Sequence, residues 1–185
     1  MPTTAIRETD AARPLRNLYY ARFGFALVWA VLFALTITAF GPVGIGLLVL
    51  YPLFDVAAAV ADVRSAAAAR PGGALYVNMA LSLLAAAGLA VAATSGVPAV
   101  LRVWGAWAIT AGIVQLIVAI RRHRLGGQWA MILSGGISTI AGTGFILQAG
   151  GPHPSATALA GYATLGGVFF LVSAIRLHRR SARPA

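Results

Sequence analysis

The arginines of this chain lie in four short segments, and long apolar stretches separate those segments. Thirteen of the fourteen arginines fall in the N-terminal segment, two internal loops and the C-terminal segment. The connections at the other ends of the apolar stretches carry no charge. Because short loops rich in basic residues stay on the cytoplasmic side of a membrane, the pattern predicts a multi-pass membrane protein with both termini cytoplasmic.

The composition excludes an ordinary soluble domain. The 185 residues are 59% hydrophobic and 10% charged, whereas soluble domains average about 25% charged residues. A net charge of +10 could indicate nucleic-acid binding, but no basic face is interleaved with aromatic residues, so a nucleic-acid partner is not expected. The absence of lysine and the abundance of alanine are typical of a GC-rich bacterial genome. We therefore expect a location in the bacterial plasma (inner) membrane.

Six apolar stretches are long enough to cross a bilayer, which requires about 20 helical residues. Glycine and proline clusters separate these stretches. We predict an all-α fold with an N-terminal tail at 1–18, a six-helix transmembrane domain at 19–176 and a C-terminal tail at 177–185. The predicted spans are Phe23–Phe40, Val43–Ala61, Leu75–Ala93, Ala99–Ile120, Trp129–Leu147 and Ala156–Ile175.

Aromatic residues near the ends of the spans predict where the membrane surfaces lie, because amphipathic rings prefer the interface. At the cytoplasmic surface we expect Tyr19, Tyr20, Tyr76 and Trp129. Near the outer surface we expect Trp104 and Trp107.

The even-numbered spans resemble one another, which indicates an internal repeat. The segment Ala119–Arg124 aligns with Ala174–Arg179 at an offset of 55 residues, and both segments contain an Arg-x-His-Arg ending. Span two aligns with span four at an offset of 60, which places Asp55 opposite Gln115. The sequence therefore predicts three parallel helical-hairpin repeats of about 55 residues each.

This pattern resembles the bacterial HdeD-like acid-resistance membrane proteins. The similarity covers about residues 19–180 and is carried by Gly105-x9-Gln115-x3-Ala119-Ile120-Arg121 and Gly161-x8-Phe170-x3-Ala174-Ile175-Arg176. The resemblance implies an inner-membrane protein of a family in which some members are linked to survival at low pH. It implies no catalytic residues. Span two departs from the pattern with the sequence Tyr51-Pro52-Leu53-Phe54-Asp55.

Asp55 is the main candidate site residue, because it lies about 10 Å deeper in span two than Asp62, which we expect at the interface. An acidic side chain at that depth should face the bundle and find polar partners, from among Gln115, Asn78 and the serines of spans three and five. One interpretation is a proton-titrating or ion-coordinating site. The other is a neutral acid that hydrogen-bonds between helices. Pro52, one turn earlier, removes a backbone hydrogen bond to Leu48.

Arg102 and Gln115 complete the candidate intramembrane polar site. Arg102 is the one arginine outside the cytoplasmic set. Its side chain could extend outward to the headgroups, which we favour, or reach toward Asp55. Other buried polar residues, and the small-residue pairs Ala108/Gly112, Ala163/Gly167 and Ser138/Gly142, are expected to pack helices within the chain.

These residues favour a non-enzymatic integral membrane protein, with a stress-related role as one option. The alternative is a small transporter or channel that uses Asp55. A membrane enzyme is a third and weaker hypothesis, because no catalytic triad, carboxylate pair or phosphate-binding loop is recognised. With no cysteine and three isolated histidines, we predict no metal and no cofactor. The expected partner is the lipid bilayer, with a second copy or another membrane protein left open.

Overall fold

Six α-helices make up the described part of the chain, and the predicted all-α class is confirmed. The computed structural model describes residues 3–37, 41–65 and 73–181, with side chains described within 13–37, 41–65 and 73–179. The helices are α1 (Thr3–Thr36), α2 (Pro42–Arg64), α3 (Gly73–Ala92), α4 (Val97–Arg121), α5 (Trp129–Gln148) and α6 (Ala158–Ser181). Short 3₁₀ turns follow α3 and α4. Within the described residues, all six helices are long and apolar enough to cross a membrane.

The predicted spans agree with α2 to α6 within a few residues, but the first span enters the bundle earlier than expected. Leu15 and Tyr19 of α1 are already buried in the bundle, whereas the predicted span began at Phe23. The reason is that Arg22 lies inside the bundle and not in a tail, as shown below. Both proposed tail boundaries, after residues 18 and 176, fall within helices. The end of the predicted span at Phe40 and the loop arginine Arg70 lie outside the described residues.

The helices form a closed ring in which each packs against its neighbours in the chain and α6 packs against α1. Helices α1, α3 and α5 begin at one end of the ring, where α2, α4 and α6 finish. We call this the arginine end, because Arg64, Arg121 and Arg176 lie there. The closest packing occurs between successive hairpins, at α2–α3, α4–α5 and α6–α1. Three copies of one hairpin around an axis would show this alternation, although the repeat itself stays a prediction.

Glycines bring α4 and α5 into backbone contact. A Cβ atom added at Gly105 would stand 2.6 Å from the Gly142 carbonyl oxygen, and one added at Gly135 would stand 2.7 Å from the Gly112 carbonyl oxygen. Real Cβ atoms do not approach so closely, so glycine is required at this crossing. On the other side of the ring, Gly167 of α6 faces Ala26 of α1. The small-residue pairs that contain Gly112, Gly142 and Gly167 therefore pack helices within the chain, as predicted.

Two apolar clusters fill the ring at different depths. The larger one occupies the end opposite the arginines and includes Trp29, Phe33 and Trp104, which are fully buried. The smaller one lies at the arginine end and includes Leu15, Tyr19 and Leu177. Between the two clusters lies a layer of polar side chains, which we call the polar layer. Its members are Arg22, Asp55, Asn78, Ser82 and Gln115.

Several aromatic residues are more deeply buried than the sequence suggests. Tyr20, Tyr76 and Trp129 are exposed near the arginine end, as expected for an interfacial belt. Tyr19 is buried, and its hydroxyl donates a hydrogen bond to the Gln128 side chain at 3.2 Å. Trp104 and Trp107, expected near the outer surface, are buried in the larger cluster. The expectation fails for these three aromatic side chains because they pack against residues inside the bundle. The distance of a residue from the end of its helix does not show whether its side chain faces the bundle or the lipid.

Candidate functional site: the polar layer around Asp55

Asp55 faces the inside of the ring, and both oxygens of its carboxylate accept hydrogen bonds. Arg22 Nη2 of α1 donates to Oδ1 at 2.7 Å. Asn78 Nδ2 and Ser82 Oγ of α3 donate to Oδ2 at 2.5 Å and 2.9 Å. Asn78 and Ser82 were among the partners expected from the sequence. Asp55 therefore ties α2 to the helix on either side of it, about 14 Å from Arg64 at 1.5 Å per residue.

Arg22 is the member of the site that sequence reasoning missed. It was grouped with the tail arginines, but it lies beside Asp55, and its side chain is 17% exposed. Its guanidinium carbon is 5.0 Å from the centre of the Phe170 ring on α6, a cation–π distance. A signal was present in the sequence, because Arg22 follows Arg13 by nine residues and Asp55 precedes Arg64 by the same number, which corresponds to about 14 Å along a helix in both cases.

The hydrogen bonds continue from Asp55 to α4. Ser82 Oγ accepts a hydrogen bond from Trp107 Nε1 at 3.0 Å while donating to Asp55. Two ion-paired and three neutral groups from four helices are thus linked in one network. Since a low-dielectric interior strengthens each hydrogen bond and penalises each unpaired group, this network should hold the helices in one arrangement.

A second ion pair lies nearer the arginine end. Arg122 Nη1 donates to Asp62 Oδ2 at 2.7 Å, and the two side chains are 15% and 10% exposed. Asp62 was expected at the interface, but it is buried, and its partner is Arg122, one of the arginines assigned to an internal loop. The remaining oxygen of Asp62 is buried and accepts no hydrogen bond from the described residues.

Gln115 lies in the polar layer but does not bond to Asp55. Its Nε2 donates to the Met131 carbonyl oxygen of α5 at 3.1 Å. Two small cavities, of about 80 Å³ and about 70 Å³, meet the layer, and Arg22, Asp55, Gln115 and Phe170 border both of them. Asp55, Gln115 and Phe170 stand at equivalent positions in the repeat alignment. The three side chains border the same two cavities.

Arg102 is not part of this site. Its side chain is exposed on the outside of the ring, beside Leu81 and Leu84 of α3, and it borders neither cavity at Asp55. The grouping of Arg102 with Asp55 was therefore wrong, and the preferred alternative of an outward-facing side chain agrees with the structure. The physical reason is the helical geometry of α4: Leu101 and Trp104 face the inside of the ring, so Arg102 lies on the outer face of the helix.

Aromatic side chains pack inside the bundle on the side of Asp55 that is farther from the arginine end. We call Trp29, Phe33, Tyr51, Trp104 and Trp107 the aromatic cluster. Neighbouring centroids in it lie 4.5 to 5.9 Å apart. Trp29 Nε1 also donates to the Leu47 carbonyl oxygen at 2.7 Å, next to the Leu48 carbonyl that Pro52 leaves without its helical donor. Tyr51 and Trp107 border the smaller of the two cavities at Asp55, whereas Trp29, Phe33 and Trp104 border neither of them.

Other polar residues named from the sequence serve local contacts. Ser138 Oγ accepts from the Tyr162 hydroxyl at 3.0 Å, which joins α5 to α6. Thr139 donates to the Gly135 carbonyl oxygen of its own helix. Ser134 borders the smaller cavity. Within the described residues, no group of three or more acidic or histidine side chains could hold a metal ion.

Comparisons with known proteins give no relative for this chain. No protein-family model matches it, and neither curated proteins nor solved structures gave a significant match. The resemblance to HdeD-like proteins therefore stays a prediction from the sequence pattern.

Proposed function

We propose that this chain is a non-enzymatic, multi-pass protein of the bacterial plasma membrane, with both termini cytoplasmic, related to the HdeD-like proteins. The observation that carries this proposal is the hydrogen bonding of the Asp55 carboxylate. Its two oxygens accept three hydrogen bonds from α1 and α3, and one donor is a guanidinium. A carboxylate whose lone pairs are engaged in this way acts as a tie between helices and offers little to a substrate.

We further propose a role in survival of acid stress. The support for this role is the resemblance of the sequence pattern to HdeD-like proteins, some of which are linked to survival at low pH. Two carboxylate–guanidinium pairs, Arg22–Asp55 and Arg122–Asp62, join helices within the described interior, and the first of them is the contact that the test below addresses.

A deletion strain tests this role. We expect the deletion to lower survival after an acid challenge and to leave growth at neutral pH unchanged. The natural chain and Arg102→Gln should restore survival, whereas Asp55→Asn should restore little of it at a matched amount of protein in the membrane. Arg102 is the matched control because it is a charged residue of the same bundle that lies outside the polar layer. Equal survival of the deletion and parent strains would reject the acid-stress role.

A small transporter or channel is the second candidate. The two cavities that meet at Asp55 and Gln115 favour it, since a polar space beside an intramembrane carboxylate is a common feature of ion pathways. The aromatic cluster opposes it in the present arrangement. Proteoliposomes containing a pH-sensitive dye distinguish the two functions. Proton flux that depends on the protein and disappears in Asp55→Asn would establish transport, and no flux above that of empty vesicles would reject it.

A further inference from the structure

A groove on the outside of the ring at the arginine end combines basic and apolar side chains. It lies between the α4–α5 connection and the end of α6 and has a volume of about 600 Å³. Arg176 and Arg179 line one part of it, and Ile120, Trp129 and Ile132 line another. We call it the basic groove. It is separate from the polar layer, because it shares no lining residue with either cavity at Asp55.

The two arginines of the basic groove are available to an anion. They are three residues apart on α6 and therefore share a helix face. Both side chains are exposed, and neither makes an ion pair within the described part of the chain. The two carboxylates of the described spans, Asp55 and Asp62, are already paired with Arg22 and Arg122. The guanidinium fork matches the geometry of a phosphate, which is the anion that two adjacent arginines bind well.

The backbone adds positive potential on the same side. The groove includes the turn at Gly126–Gly127 that leads into α5. Both glycines have positive φ, and Gln128 at the N-cap of α5 makes no capping hydrogen bond with its side chain. The start of this 20-residue helix therefore presents amide groups without a side-chain cap beside the arginines. This potential favours an anion but does not say which one.

The apolar part of the groove decides the class of ligand. Trp129 is 73% exposed and Ile120 is 52% exposed, so the groove offers apolar surface directly beside the two guanidinium groups. A free phosphate would leave that surface unused. A phospholipid fits both parts, with its phosphate at the arginines and its acyl chains along the tryptophan and isoleucines. Exposed tryptophan is also typical of the depth at which lipid headgroups lie.

We propose that the basic groove binds one anionic phospholipid in the leaflet at the arginine end. Arg176 and Arg179 hold the headgroup phosphate, and Ile120, Trp129 and Ile132 contact the upper acyl chains. A zwitterionic lipid binds more weakly, because its choline group brings a positive charge near the two arginines. The site is independent of Asp55 and of any transport or acid-stress function.

Native mass spectrometry of the full chain tests this site. The protein is released from detergent after titration with phosphatidylglycerol or with phosphatidylcholine of the same acyl chains. We expect tighter binding of phosphatidylglycerol, and we expect Arg176→Gln/Arg179→Gln to weaken that binding by about tenfold or more, since both charge-assisted contacts to the phosphate are lost. The matched control is Arg13→Gln/Arg64→Gln, which removes the same charge from exposed arginines outside the groove.

Three outcomes would overturn the proposal. Equal binding of the two lipids would show that the headgroup charge is not recognised. An equal loss in the control variant would show a general surface-charge effect. Inorganic phosphate that binds with the same dependence on Arg176 and Arg179, and with no loss in Trp129→Ala, would identify a site for soluble phosphate. Since all these side chains are exposed, circular dichroism should show unchanged helix content in every variant.

Discussion

Arg122, directly after the end of α4, donates a hydrogen bond to Asp62 on α2 at 2.7 Å. The two residues are 60 apart in the sequence, which is the same offset that places Asp55 opposite Gln115. If the hairpins are repeats, an acid of the first hairpin is paired with the base at the equivalent position of the second. The pair is incomplete, however, because Asp62 Oδ1 is buried without a hydrogen-bond donor from the described residues.

This incomplete pair should be replaceable by apolar side chains. Taking two charges out of water is costly, and replacing a buried pair with packed apolar groups is often neutral or stabilising. We expect Asp62→Leu/Arg122→Met to unfold at the same denaturant concentration as the natural chain or at a higher one. Either single change should cost about 3 kcal/mol, because it leaves one buried charge unpaired. Unfolding in mixed SDS micelles, followed by circular dichroism, measures the difference. A double variant that loses the sum of the single effects would contradict this expectation.

The Arg22–Asp55 pair should behave differently, because both oxygens of Asp55 are satisfied. We expect Asp55→Leu to lower the free energy of unfolding by about 3 to 5 kcal/mol, since it leaves Arg22, Asn78 and Ser82 without their acceptor. Asp55→Asn should cost less, because its amide oxygen still accepts one of these bonds. In Arg22→Gln/Asp55→Asn we expect a coupling energy of at least about 1 kcal/mol by the same unfolding assay.

Arg102→Gln is the control for this pair. Arg102 is exposed and lies apart from the polar layer, so its replacement should change the free energy of unfolding by no more than about 0.5 kcal/mol. Single changes at Arg22 and Asp55 that simply add in the double variant would show that the ion pair contributes no coupling of its own.

The number of helices and their approximate ends could be predicted from the sequence because hydropathy and loop charge act locally. Each span needs about 20 apolar residues whatever its neighbours are. The partner of Asp55 could not be predicted in the same way. A membrane-facing and a ring-facing arginine look alike in sequence, and only the packing of α1 against α2 brings Arg22 to the carboxylate. For Arg102, reasoning from depth alone could not show that its side chain lies on the outer face of α4.

The glycine pattern shows a similar limit. Small-x3-small pairs indicated close helix contacts within the chain, and the structure agrees. The spacing that matters at α4–α5, however, is seven residues: Gly105 and Gly112 meet Gly142 and Gly135. Antiparallel helices that cross at a small angle touch at every second turn, and which turn of α4 meets which turn of α5 depends on the loop between them. The sequence therefore predicted the kind of contact but not its register.

Reporter fusions test the orientation of the bundle in the membrane. We expect a fusion after Ser95 or Pro152 to report an external position, because the connections at that end carry no arginine. A fusion after Arg124 should report the cytoplasm. Alkaline phosphatase, which is active outside, and green fluorescent protein, which fluoresces inside, give complementary signals at the same sites. Cytoplasmic signals at both Ser95 and Pro152 would contradict the six-span topology.

The crossing of α4 and α5 should not tolerate a single added methyl group. A Cβ at Gly142 would stand 2.5 Å from the Gly105 carbonyl oxygen, and backbone cannot move aside as the end of a flexible side chain can. We expect Gly142→Ala to cost about 1 to 3 kcal/mol in the free energy of unfolding, as overpacking of a tight contact does. Gly144→Ala is the matched control on the same helix, because nothing lies within 4 Å of its added Cβ. That change should be neutral or slightly stabilising, since alanine restricts the unfolded chain more than glycine does. Equal stability of the two variants would show that α4 and α5 do not cross at Gly105 and Gly142.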